Sequence, residues 1–392
     1  MIFSKRTNGL SSAIFSILEN KKKELIDENR EVFDFGTGTP DIPPAPHIIK
    51  TMEEAVIRPE NHKYAIKDLP ELIEAVMEWY LRRYGVHLER DEIISLAGSQ
   101  DGLAHISLIL ADTHDTVLVP DPGYPIFSIG PSLAGADIYK LPLLRENNYI
   151  IDLDAISATI AHKSKIIIVS YPNNPVTAVA PDVFYEKLIW FAKKYDIVVV
   201  HDNAYSELVY DGKTGGSFLK FPGAKEVGVE FNSLSKSYNL TGSRISFALG
   251  NRKIIEQLKN LKSHLDYGIF LPVQKAAIAA ITGPQDYLRS TVETYQKRRN
   301  TLVDGFNSLG WNMNKPPATM FVWSSIPKGY SSSMEFCMEL IDRYGIITVP
   351  GSSFGDGGEG FVRLALVQPE EKIKRAINLI KGVSKNSLIK FI

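Results

Sequence analysis

Lys236 lies in the run SLSKSYNLTGSR, residues 233–244, between the apolar stretches VGVEF and ISFALG. A lysine amine held near neutral can attack an aldehyde and stay covalently joined to it, and burial beside other cations moves its pKa in that direction. A solvated basic loop is the plain alternative, and it fits badly between two runs that must be buried. Ser233 before the lysine and Arg244 after it offer a hydroxyl and a guanidinium to a phosphate, with Ser235 adjoining.

Other stretches offer complementary groups. In HDNAY (201–205), Asp202 ends a run that should be fully buried. A carboxylate there is costly without a cation or donor, and a protonated ring nitrogen would be such a partner. Tyr205 could reach the same ring from its phenolic side; a helix-capping aspartate with a structural tyrosine is the competing reading. GSQDGLAH (98–105) leads a glycine and Ser99 into a helix, whose free N–H groups and dipole favour an anion. Ser99 could equally cap that helix itself. DPGYP holds Tyr124 in a rigid turn, either to stack on a flat ligand or to cover core. YPNNP sets Asn174 before a proline, in an extended conformation, with its amide free for a ligand oxygen or merely for a turn. FVRLAL puts Arg363 inside an apolar strand, where its fork suits a carboxylate, either a ligand's or an internal Asp or Glu.

The elements that must carry these groups are legible. Near-continuous β-branched runs recur at 92–98, 115–121, 165–171, 196–202, 227–233 and 244–250, the pattern of strands covered on both faces. Amphipathic stretches such as QDGLAHISLILA and PDVFYEKLIWFAKKY separate them, the second opening on a proline suited to a first turn. Strand and helix in alternation predict an α/β lobe with a mostly parallel sheet. From YLRSTVETYQKRRNTLVDGFNSLG onward, a long helix followed by shorter strands and helices predicts a smaller α+β lobe. A chain of 392 residues suits two such lobes. Ligands of open α/β sheets bind at the carboxyl ends of strands, which is where the polar groups above fall.

Composition narrows the class. A net charge of −1 gives no reason to expect nucleic acid or an anionic membrane as partner. The single cysteine excludes an internal disulfide and a multi-cysteine metal site, and no metal is expected. The first residues lack the uninterrupted apolar core of a signal peptide, so a cytoplasmic protein is expected.

Together these groups describe one ligand. It has a flat ring with a protonated nitrogen (Asp202), a ring oxygen (Tyr205, Asn174) and an aldehyde (Lys236). It also has a stacking face (Tyr124) and a phosphate (Ser99, Gln100, Ser233, Arg244). Pyridoxal 5′-phosphate meets each requirement. The blocks GTGTPDIP, NHKYAIKDLPELIEAV, GSQDGLAH, PDPGYP, YPNNP, HDNAYSELVYDG, SLSKSYNLTGSR, DYGIFLPVQ and VRLALV occur in the order and spacing of a known family. Over essentially its whole length the chain resembles the class I/II, fold-type-I aminotransferases, most closely the branch with LL-diaminopimelate and aspartate- or methionine-type enzymes.

The resemblance implies a seven-stranded, mostly parallel sheet in the large lobe, 46–280. An arm and part of the small lobe would occupy 1–45, and the rest of the small lobe 281–392. Lys236 then resembles the Schiff-base lysine, Asp202 the partner of the pyridine nitrogen, Asn174 and Tyr205 the ring-oxygen ligands, and Tyr124 the stacking aromatic. Ser99, Gln100, Ser233, Ser235 and Arg244 match the phosphate cradle. Tyr64 resembles the tyrosine that reaches the neighbouring subunit's phosphate, which implies a homodimer. Gly38, Asn174 and Arg363 resemble the receptors of the substrate carboxylate. The implied reaction moves an amino group between an L-amino acid and a 2-oxo acid by a ping-pong mechanism.

Two departures stand out: Val176 and Thr177 replace a threonine and a glycine common among relatives, and Gln100 and Asp101 stand where close relatives often carry Lys and Glu. The same cofactor motifs serve a β-eliminating C–S lyase, the alternative reaction. A cofactor-sensing regulator would need a DNA-binding domain, for which about 30 N-terminal residues are too few. Lys262 and His264 lie either near the site or in solvent.

Overall fold

A computed structural model describes residues 13–384 together with Ser4 and Arg6. Seven strands form one sheet in the spatial order Ile93–Leu96, Ser246–Gly250, Gly228–Ser233, Val198–Asp202, Ser164–Ser170, Thr116–Asp121, Asp137–Pro142. Only Ser246–Gly250 runs antiparallel to its neighbours. Six strands therefore aim their carboxyl ends at one edge, and the seventh brings its amino end there. Arg244 consequently precedes its strand, whereas Asp202 ends its own and Ser99, Tyr124, Asn174 and Lys236 follow theirs. All six apolar runs are strands. Asp137–Pro142 has no such run, because at the sheet edge most of its side chains are exposed.

Side chains alternate across the sheet, so each strand feeds two cores. On one face Leu96, Val119, Val200, Val229 and Phe231 meet Leu103 and Ile106 of the helix Ser99–Leu110 and Phe127 of Ile126–Ala134. Gly102 lets the first of these helices close on the sheet, since a Cβ there would stand 2.3 Å from the Phe231 ring. On the other face Ile167, Val169, Val199 and Phe247 pack with Leu72, Val76, Trp79 and Tyr80 of Pro70–Tyr84. Glu230 lies within that second core with no exposed surface. Its carboxylate accepts from Tyr80 Oη (2.8 Å), Ser217 Oγ (2.9 Å) and Phe218 N (2.7 Å), and His201 Nδ1 is 3.0 Å away. Such complete pairing is what allows a charge to be buried.

The smaller lobe joins Val349–Pro350, Phe361–Ala365 and Phe321–Ser325 in an antiparallel sheet, covered by Asp286–Asn307, Ser333–Tyr344 and Glu370–Ser384. Phe33–Asp34 pairs with Ile346–Ile347, and Phe33 and Phe35 enter this lobe's core. Arg299 ties this lobe to the large one through a bidentate ion pair with Asp211 (2.7 Å twice), and Arg298 holds the N-terminal segment through Asp41 (2.6 and 2.8 Å). Among the described residues no helix is long and apolar enough to cross a membrane.

Glu230→Ala strands the imidazole of His201 and three further donors in the core. It should cost about 3–5 kcal/mol, read as a lower urea midpoint; an unchanged midpoint would contradict the pairing described.

Candidate active site

Leu96 and Ser233 both pair with Ser246, which sets the turn after Leu96 beside the segment Ser233–Lys236. In that turn Gly98 has φ +85°, and a Cβ on it would lie 2.2 Å from Arg244 Nη2. Only glycine suits both the backbone and the approach. Arg244 donates to the carbonyls of Ala97 (3.3 Å) and Thr241 (3.0 Å). Ser99 does not cap its helix, and its buried Oγ has no hydrogen-bond partner among the described residues. The capping alternative for Ser99 therefore fails. Ser233 Oγ accepts from Ser235 N at 3.2 Å and keeps its own hydrogen to donate. Gln100 is exposed on the helix's first turn. Unfilled donors at a helix N-terminus, two serines and a guanidinium make a fitting receptor for a phosphate.

Asp202 ends its strand buried, level with Ser170 and Phe231. Burial pushes its carboxyl up to about 6, against His201 and a 3.3 Å bond from Ala204 N. Burial likewise pushes the Tyr205 hydroxyl well above its usual range, and the Asn174 side chain hydrogen-bonds to it. Tyr124 is half-buried, with Arg363, Asp202 and Arg244 all near enough to act on its hydroxyl. Lys236 Nζ donates to Gly38 O at 2.7 Å. Burial, then the charges of Arg363 and Arg244, bring its amine down to about 8. The amine is half-buried and pairs with no carboxylate among the described residues.

Arg363 is 4% exposed. Its Nη1 donates to Asn174 Oδ1 (2.9 Å) and its Nη2 to Gly36 O (3.1 Å), while Nε has no partner among the described residues. The rings of Phe321 and Phe354 lie 4.1 and 4.7 Å from the guanidinium carbon. Among the described residues no carboxylate pairs with it, so the internal Asp or Glu considered above is absent. Burial lowers its pKa to about 10. A buried cation held by neutral dipoles and π-faces, with a donor left over, is a ready receptor for an anion.

Phe321, Phe354 and Gly36 escaped the sequence reading. Phe321 becomes visible only with the register: Trp323 pairs with Arg363, and period-2 alternation then puts Phe321 on the same face. The same ring limits position 38, where a Cβ would come within 2.8 Å of it. Tyr64 stands at the surface, 83% exposed, its ring 5.5 Å from Tyr267. Thr177 adopts φ +64°, left-handed backbone that costs a β-branched residue about 1–3 kcal/mol. The turn is held by Asn173, which accepts from Thr177 N (3.0 Å, backbone) and Val176 N (3.1 Å, side chain). Lys262 is buried near the phosphate turn, and His264 is exposed.

An aldehyde held at Lys236 would share its cleft with the carboxylate receptor Arg363, which is the arrangement of an enzyme that works on amino acids. Residues 30–380 match the family of class I and II aminotransferases, and the chain belongs to it. The LL-diaminopimelate aminotransferase of Moorella thermoacetica is 44% identical over 382 residues, 97% of this chain and 98% of that one. The enzyme of the same name from Halothermothrix orenii is 44% identical over 384 residues, 97% and 96%. Substrate-bound BacF of Bacillus subtilis has a TM-score of 0.94 at 34% identity and 98% coverage of both chains. A probable N-succinyldiaminopimelate aminotransferase of Thermus thermophilus has a TM-score of 0.89 at 33% identity, covering 94% of this chain and all of that one. The protein is thus an aminotransferase of a family that uses pyridoxal 5′-phosphate. These relatives lend the C–S lyase alternative no support.

In cofactor-free protein, competitive acetylation of Lys236 should rise with pH through a midpoint of about 8. Arg363→Gln should move that midpoint upward, because losing a neighbouring cation favours the ammonium form. A midpoint at the ordinary 10.5 would contradict the geometry.

Proposed function

We propose that this site holds pyridoxal 5′-phosphate and that the enzyme, a cytoplasmic homodimer, transfers an amino group from LL-diaminopimelate to a 2-oxo acid. The observation carrying the substrate is 44% identity, across 97% of the chain, to two enzymes that bear that substrate's name. When bound, the cofactor supplies an aldehyde and an electron-accepting pyridinium ring. Ser99, Gln100, Ser233, Ser235 and Arg244 hold its phosphate, and Asn174 and Tyr205 hold the ring oxygen. Tyr124 covers the ring. Asp202, ionised above about pH 6, keeps the proton on the ring nitrogen.

Arg363, with Gly38 and Asn174 beside it, takes the substrate's α-carboxylate and so turns the α-carbon toward Lys236. Lys236 Nζ would take the proton from the α-carbon and deliver it to the carbon on the far side of the substrate nitrogen, work suited to an amine whose pKa is about 8. A 2-oxo acid entering second reverses these moves at the same residues. Tyr64, exposed in one subunit, would reach the phosphate held by the next.

The test is a panel of LL-diaminopimelate, aspartate, alanine, methionine and aromatic donors against 2-oxoglutarate and pyruvate. LL-diaminopimelate should give the highest kcat/KM. A higher value for another donor would overturn the substrate, and turnover without any oxo acid would overturn the reaction.

A further inference from the structure

Asp101 places a carboxylate in the first turn of the helix that should receive a phosphate, and position 100, next to it, is only an amide. An anion there repels the ligand unless a cation cancels it. That cation comes from the helix Arg252–Leu265: Lys262, 2% exposed, donates through Nζ to Asp101 Oδ2 at 2.6 Å and to Asp266 Oδ2 at 2.7 Å. The same Asp101 oxygen accepts the N–H of Ala97 at 2.9 Å, while Arg244 donates to the Ala97 carbonyl. His105 Nδ1 lies 2.7 Å from the other Asp101 oxygen. Ala97, which begins the turn, is therefore held at its N–H by Asp101, itself fixed by Lys262, and at its carbonyl by Arg244. The lysine's own end is fixed as well: Tyr267 N donates to Lys262 O (3.0 Å) and Gly268 N to Ala65 O (2.8 Å).

We propose that Lys262 is a positioning residue for the phosphate-binding turn Ala97–Gly98–Ser99: it fixes the Asp101 carboxylate that holds the turn and offsets part of that carboxylate's charge beside the bound phosphate, sharing its own with the more exposed Asp266. The inference rests on the cofactor site proposed above. It separates two consequences of losing Lys262. A general loss of packing weakens any ring that binds the cleft, whereas a displaced turn and an uncompensated Asp101 weaken only a ligand that carries the phosphate.

The experiment compares holoenzyme and Lys262→Met after cofactor removal, titrating each with pyridoxal 5′-phosphate and with pyridoxal, by absorbance. The phosphate ester should bind the variant roughly 10-fold more weakly, with pyridoxal affinity unchanged, and Lys262→Arg should restore most of the loss. Should Lys262→Met not fold, Lys262→Gln, which keeps a donor to Asp101 but no charge, carries the same expectation. Equal weakening of both ligands, or none of either, overturns the proposal. Wild-type protein that binds neither ligand removes the proposal together with the cofactor reading beneath it.

Discussion

A shortage of negative charge governs the cleft. Lys236, Arg244 and Arg363 act on one another there, and Asp202 is the buried carboxylate among them. Desolvation first, and then repulsion from Arg363 and Arg244, bring the lysine amine down to about 8. The same shortage leaves two guanidinium groups without acids, Arg244 held by two carbonyls and Arg363 by an amide, a carbonyl and two rings. Arg363 is buried and unpaired, which is tolerated only at a cost, whereas Arg244 stands exposed at the other end; an anion at Arg363 therefore gains most. In the function proposed above, a phosphate at Arg244 and a carboxylate at Arg363 would supply such anions.

The topology exists to hold that spacing. Six strand ends and one strand beginning meet at a single sheet edge, so residues far apart in sequence arrive from a rigid platform. Arg363 comes from the other lobe, and it is positioned by Asn174 of the large lobe and the Gly36 carbonyl of the N-terminal segment. Two separate stretches thus fix a guanidinium carried by a third. The ion pairs Arg298–Asp41 and Arg299–Asp211 hold those stretches together away from the chemistry.

Much of this was legible because burial on both faces writes continuous apolar runs, and a polar residue ending such a run has to be explained. Asp202, Lys236, Asn174 and Ser99 were singled out that way. Asp137–Pro142 was not, since an exposed edge strand carries no such run. The partners of Arg363 were hidden for another reason: backbone carbonyls and π-faces leave no charge pattern, and the pairing of Trp323 with Arg363 exists only once the register is fixed. The Asp101–Lys262 pair joins residues 161 positions apart, beyond any local pattern. Thr177 shows the reverse case, a left-handed position filled against backbone preference, and nothing in the structure explains why threonine stands there.

The central claim is that Lys236 is the covalent anchor, and borohydride reduction of the holoenzyme followed by peptide mapping tests it most directly. A pyridoxyl group should be found on Lys236, and the label should vanish in Lys236→Ala. A pyridoxyl group on another lysine, or label retained by Lys236→Ala, would contradict it.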